Sequence, residues 1–245
     1  MFRKLFMLFK IGRKLTSSGA ISSIYEIYNP PTGIKILFFV IGFNLGEKKN
    51  NNNLSAGEKL CNALQEMGTT FIKLGQFLAT RPDIIGENIS KDLEKLQDKL
   101  PSFDLDDAKN ILREETGEEN FNQIKNLSKP IAAASIAQVH FATIKDSNIN
   151  KNVAIKILRP NIEKIFNEEL DALMLLAYII ESFIKKTKRL KLVEVVQLLR
   201  EVTNIEMDLR FEAAAANELS ENTKNDIGFK IPKIYWNQTS KRVLC

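Results

Sequence analysis

One stretch of the chain, PIAAASIAQVHFATIKDSNINKNVAIKILRP from Pro130 to Pro160, contains two runs that alternate with a period of two, SIAQVHFATI and NVAIKIL. It limits the folds open to everything around it. Two β-type runs flank KDSNINKN, whose composition is that of a hairpin loop. The last segment, FKIPKIYWNQTSKRVLC, reads as a strand, a polar turn over Asn237 to Lys241, and the start of another strand. Nearly everything else is periodic at helical spacing. Helices followed by a small antiparallel sheet that helices interrupt make an α+β arrangement.

The helical pattern starts after GEKKNNNN, Gly46 to Asn53, a polar low-complexity patch that reads as a linker. Leu60, Leu64, Met67, Phe71, Leu74 and Leu78 step by three and four along one long helix, which Arg81-Pro82 ends. Thr69, Lys73, Gln76 and Thr80 form a polar stripe on another face of that helix. Further helices are expected over 89–99, 106–116, 162–184 and 193–219, the second with Asp104 as N-cap and Gly117 as stop.

Composition narrows the function classes. With 44% hydrophobic residues, the 245-residue chain can build a packed core. A net charge of +5 permits an anionic membrane or a nucleotide but does not argue for nucleic acid. Cys61 and Cys245 match no ligand spacing, and a reducing, cytosolic setting fits them. The single His140 ends an alternating run and is read as a strand residue that packs or faces solvent. In MFRKLFMLFKIGRKL, Phe2, Leu5, Phe6 and Phe9 recur at helical spacing among Arg3, Lys4, Lys10, Arg13 and Lys14. That is the pattern of a helix lying on an anionic membrane surface. ILFFVIGF, Ile36 to Phe43, is far shorter than the roughly 20 residues that span a bilayer.

Two groups of polar residues carry candidate chemistry. In NVAIKIL, Val153, Ile155 and Ile157 share one strand face, and Lys156 lies on the other with Ala154 and Leu158. A lysine among apolar neighbours must reach solvent, a counter-ion or a bound anion. A surface lysine on an edge strand is the plain alternative. In NIEMDLRFEAAAANELSEN, read as continuous helix, Asp208 and Glu212 share a face and Glu206 can pair with Arg210 four residues on. Either this is a solvated face, or Asp208 and Glu212 turn inward toward a cation, with Lys156 and Lys73 as the natural suppliers.

Taken in order, FIKLGQFLATRPDII, LQDKLP, AAASIAQVH, VAIKILRP and EMDLRFEAAAAN resemble the UbiB family of atypical kinase-like proteins linked to ubiquinone biosynthesis. The resemblance covers about Leu54 to the carboxyl terminus. It implies a protein-kinase-like amino-terminal lobe, residues 128–245, preceded by a helical extension over 54–127 and a basic membrane-proximal segment over 1–53. It also implies an alanine-rich nucleotide loop formed by Ile131, Ala132, Ala133, Ala134, Ser135, Ile136, Ala137, Gln138 and Val139. Lys156 would contact the phosphates of ATP, with Glu212 as its ion-pair partner. Glu206 and Asp208 match the family's acidic motif. Lys73 and Gln76 match its lysine–glutamine motif, on a helix that occludes the peptide site and suppresses conventional kinase activity.

Alanine in place of glycine narrows the loop's backbone freedom, so the loop should hold one shape. A helical fragment is the competing reading of AAAS. No HGD, HRD or DFG triplet occurs, so neither the catalytic Asp nor Mg²⁺ ligands of a kinase are found. Whether the chain is itself an enzyme stays open. The expectation is an amino-terminal part lacking the carboxyl-terminal lobe, truncated before the hinge. The lobe would then be encoded separately, or the chain would be a decayed remnant or a binding module. Expected partners are nucleotide, ubiquinone-biosynthesis enzymes and the inner face of the membrane, from the cytoplasm.

Overall fold

Strands β3 (Ala137–Asp146) and β4 (Ile149–Leu158) form the long antiparallel hairpin at the centre of the computed structural model, paired from Ala137↔Leu158 to Asp146↔Ile149. The structure describes residues 2–17, 32, 35–36, 54–96, 100–146, 149–183 and 185–245. The polar segment expected as a loop therefore supplies paired strand at both ends, Lys145–Asn150 and Asp146–Ile149 included. Ladder pairing along a continuous partner outweighs the poor strand propensity of Asn, Asp and Lys. Beside β3 lie β1 (Ile124–Lys125) and β2 (Pro130–Ala133), paired to its opposite ends. On the other side of β4 is β5 (Val243–Leu244), so among the described residues the order is β1-β3-β4-β5 with β2 also on β3.

The chain divides into two compact units, Met1–Asp98 with Lys164–Arg200, and Lys99–Glu163 with Glu201–Cys245. In the first, the expected long helix is broken into α2 (Ala56–Met67) and α3 (Thr69–Ala79) by Gly68, whose φ of +101° no helical residue adopts. The apolar stripe still works across the break. Leu60, Leu64, Met67 and Phe71 are buried, and Leu74 and Leu78 half-buried. Ser55 caps α2 in a capping box with Glu58, and its hydroxyl donates to Asp92 at 2.6 Å. Two short helices, α4 (Pro82–Ile85) and α5 (Glu87–Leu93), follow, the second starting earlier and ending sooner than expected. Gly75 of α3 has no room for a side chain, because a Cβ there would collide with the Leu96 side chain and approach Leu64 Cδ1 to 2.9 Å. Helix α1 (Phe2–Ser17) packs on α2, and its Leu8 and Ile11 are buried.

Helix α6 (Leu105–Gln123) belongs to the second unit, where Ala108, Ile111 and Leu112 cover the inner face of the sheet. They meet Ala142, Ile144, Val153, Ile155, Ile157 and Val243, the inward half of the period-two pattern. Asp104 caps α6 as expected, accepting from the Asp106 N–H at 2.7 Å. Gly117, non-helical at φ +75° and ψ 162°, separates two helical segments within this span and so stops the first of them as expected. After α7 (Ile162–Phe183), the element expected over 193–219 is two helices, α8 (Leu192–Glu206) and α9 (Leu209–Asn222). Asp208 makes the break: with φ −119° and ψ 94° it accepts from the Arg210 N–H, the work of an N-cap. The strand expected within FKIPKIYW is absent. Pro232 cannot donate to a ladder, the described backbone there runs into a single 3₁₀ turn over Trp236–Gln238, and Tyr235 makes one bond to the Cys245 carbonyl.

No described helix is long and apolar enough to cross a membrane. Most of ILFFVIGF and the GEKKNNNN patch lie outside the described residues. Cys61 and Cys245 are buried free thiols, and burial pushes the Cys245 thiol up to about 12.

Candidate functional site

Lys156 sits on a strand with neighbours on both sides, Val139 of β3 and Leu244 of β5. The edge-strand reading of this lysine is thereby excluded. Alternation sends Val153, Ile155 and Ile157 into the core and Lys156 to the opposite face, where its side chain keeps 29% exposure. Its ammonium donates to both carboxylate oxygens of Glu212, at 2.7 and 3.0 Å. The two residues are 56 apart in sequence.

Glu212 reaches that position because α9 is anchored at its start. The Leu209 N–H donates to the Lys241 carbonyl at 2.9 Å, fastening the helix next to β5. Asp208 caps the first turn and takes the Arg210 guanidinium in a two-point contact at 2.9 and 2.6 Å. The hydrogen bonds from Arg210 hold the Asp208 carboxyl below the usual range, with Lys241 adding a smaller pull. This corrects two expectations. Asp208 faces an arginine rather than a lysine, and Arg210 pairs with Asp208 rather than with Glu206. Both follow from the helix break at Met207–Asp208, which removes the i,i+4 spacing those pairings assumed. Glu206 is half-buried on the last turn of α8.

The alanine-rich segment is a hairpin of strands, which excludes the helical reading of AAAS. Ala132 pairs with Val139 and Ala133 with Gln138, while the register slips by one residue at Ile131, which is exposed. The Ala134 N–H donates to the Ala137 carbonyl at 2.8 Å and closes a turn through Ser135 and Ile136, both buried. Gln138 is wholly buried. Its amide oxygen accepts from the Phe103 N–H at 2.9 Å and its nitrogen donates toward the Phe103 carbonyl at 3.3 Å and His140 Nε2 at 2.9 Å. His140 Nδ1 in turn lies 2.8 Å from the Ser128 carbonyl, which can only accept, so Nδ1 carries the proton and Nε2 receives one. The sole histidine is thus a packed structural residue.

Lys73 and Gln76 lie half-buried on α3 in the first unit, on either side of the close-packed Gly75. Among the described residues no group of three or more His, Cys, Asp or Glu could hold a metal ion.

Several anchoring residues left no local mark in the sequence. Glu115 of α6 accepts from Ser240 Oγ at 2.6 Å and from Arg242 Nε at 2.8 Å, and Glu114 takes Arg242 Nη2 at 2.7 Å. These contacts, across more than 120 residues, tie the approach to β5 down onto α6. Burial pushes the Glu115 carboxyl up, but the bonds from Ser240 and Arg242 outweigh it and leave it below its ordinary value of 4.5. A carboxyl lowered in the fold contributes stability above its unfolded pKa and loses it as pH falls through the folded one. Glu115→Gln is therefore expected to cost about 1–2 kcal/mol at pH 7, with the gap to the parent closing below about pH 4.5. Denaturation followed by the emission of Trp236, the only tryptophan, reads this. A gap that is constant down to pH 3 removes the assignment.

A small antiparallel sheet, with a central-strand lysine paired to a helix glutamate and a hairpin beside it, defines a protein-kinase-like lobe. Residues 95–245, more than half of the chain, match the ABC1 atypical kinase-like domain. The chain belongs to that family. A Marinobacter nauticus protein described as "Probable protein kinase UbiB" is 37% identical over 215 residues, 87% of this chain and 38% of the relative. Proteins of the same description from Cellvibrio japonicus and Pseudomonas paraeruginosa are 35% and 36% identical, each over 78% of this chain and 34% or 36% of their own length. The chain thus spans little more than a third of the length of these relatives.

Proposed function

We propose that this chain binds ATP within a UbiB-type atypical kinase that supports ubiquinone biosynthesis. The observation that carries the reading is the Lys156–Glu212 pair, set on the central strand with Val139 of the alanine hairpin as cross-strand neighbour of the lysine. In this reading Lys156 contacts the nucleotide phosphates, and Glu212 holds the ammonium in place until they arrive. The main chain of Ile131 to Ala134 and Val139 lines the nucleotide. Ser135, Ile136, Ala137 and Gln138, buried as they are, shape the loop rather than present side chains to it. Asp208 acts by capping α9 and so aiming Glu212, and Glu206 completes the acidic motif. Lys73 and Gln76 take the role the family resemblance implies, restraining transfer to peptides. No HGD, HRD or DFG triplet occurs in these 245 residues, so the reading assigns them neither a catalytic Asp nor Mg²⁺ ligands.

ATP added to the purified chain tests this. At a hundredfold excess over its dissociation constant the nucleotide stabilises by about 2.7 kcal/mol. That raises the melting temperature by roughly 5–10 °C for a chain of this size. An unmoved melting curve at millimolar ATP disposes of the proposal.

A second reading concerns the membrane, and α1 favours it. Phe6 and Phe9 are exposed, as are Lys10 and Arg13, and the four fall at helical spacing on one stripe opposite buried Leu8 and Ile11. Aromatic rings among cations suit the boundary of an anionic bilayer. The chain is expected to pellet with phosphatidylglycerol vesicles, and the double variant Phe6→Ser, Phe9→Ser to stay largely in the supernatant. Equal pelleting of the two rules the stripe out.

A further inference from the structure

One side chain grips the turn of the alanine hairpin from outside. Arg159, the residue after β4, donates to the Ala134 carbonyl from Nη2 at 2.8 Å and from Nε at 3.2 Å. Its own N–H donates to the Ile136 carbonyl at 2.9 Å. Two carbonyls in one short turn are therefore held by a single residue. The Arg159 guanidinium carbon also lies 5.9 Å from the centre of the Phe103 ring, and Phe103 is the residue whose main chain holds Gln138. The grip on the tip and the grip on the stem of the hairpin thus meet at one place.

The chemistry of this contact is directional. A peptide is planar and trans, so clamping the Ala134 carbonyl turns the Ser135 N–H the opposite way, and clamping the Ile136 carbonyl does the same to the Ala137 N–H. Glycine would let these peptides flip at little cost; alanine resists, and the clamp removes what freedom remains. The guanidinium is suited to the task because it is planar, permanently charged and offers parallel donors, whereas an ammonium is a single point charge on a flexible stem. Arg159 follows Lys156 by three residues at the end of the same strand, so β4 sets the phosphate-contacting lysine and the loop clamp in register with each other.

We infer that Arg159 is a positioning residue that presets the alanine turn, so that the loop meets nucleotide already in its binding shape. This rests on the proposal that the hairpin binds ATP. A loop that is ordered beforehand loses less conformational entropy on binding. Removing the clamp therefore weakens binding without any loss of a contact to the ligand.

The experiment compares the 245-residue parent with Arg159→Met, Arg159→Lys and Lys156→Ala, measuring ATP affinity by calorimetry and amide hydrogen exchange in the absence of nucleotide. Arg159→Met is expected to bind ATP about tenfold more weakly and to exchange about tenfold faster at the Ser135 to Ala137 amides, with β3–β4 amides from Phe141 to Ala154 unchanged. Arg159→Lys, which restores charge but not the fork, should recover part of both. Lys156→Ala should lose affinity with the turn amides unchanged. A parent that binds ATP and an Arg159→Met that binds it equally well, or a turn whose exchange does not move, overturns the clamp and leaves the nucleotide reading intact. A parent that binds no ATP overturns both. Should Arg159→Met not fold, Arg159→Lys decides alone, and affinity equal to the parent's counts against the role.

Discussion

Lys156→Ala is expected to lower ATP affinity by about 10- to 100-fold, the effect of removing one charge-assisted contact of about 1.5–3 kcal/mol from the phosphates. It is expected to leave the melting temperature of the free protein almost unchanged. The reason lies in exposure: the Lys156 and Glu212 side chains keep 29% and 51% of theirs, and an ion pair that wet contributes only about 0.2–1 kcal/mol to stability. A geometry of 2.7 Å that adds so little to the fold is better accounted for as a device for aiming a charge. Glu212→Ala should cost less, about two- to fivefold in affinity, because the ammonium remains but must be ordered on binding. Binding and melting measured on the same preparations separate the two effects. If Lys156→Ala melts several degrees lower and binds ATP as the parent does, the pair is structural and the nucleotide assignment is wrong.

Ile155→Ala is expected to do the reverse, costing about 2–5 kcal/mol of stability out of a typical total of about 5–15. Ile155 is fully buried one residue from Lys156, with Ala108, Ile111 and Leu112 of α6 packed over the same face of the sheet. Truncation there opens a cavity at the contact between the helix and the central strand, where neither element can shift without breaking the ladder on both sides of β4. Chemical denaturation of parent and variant measures the loss. A cost below about 1 kcal/mol would mean that α6 does not seal the sheet as described.

The two variants are adjacent in sequence and opposite in consequence, and the alternation visible in NVAIKIL already implied as much. Other features were equally plain. VAIK in its alternating run and Asp104 ahead of a helical pattern each declared an element from its own residues, whereas AAAS left a loop and a helical fragment both open. Helix continuity was less legible. Gly68 and Asp208 each sit inside an unbroken apolar periodicity, and a stripe that crosses a break without losing phase hides the break. The strand read into FKIPKIYW failed for a related reason, since period-two alternation cannot reveal that no partner is there to pair with.

Residue pattern by itself determined which face of each element is apolar, that the hairpin exists, and that a lysine stands on the face opposite Val153, Ile155 and Ile157, because propensity and periodicity are properties of neighbours in the chain. The family resemblance already pointed to Glu212 as the partner of Lys156, whereas tertiary structure alone decided that Glu115 holds Arg242 and Ser240 and that Arg159 grips the alanine turn. Those choices join residues from 25 to 127 positions apart. They depend on where a helix breaks and which strand it then lies beside, and no local preference encodes a distance of that kind.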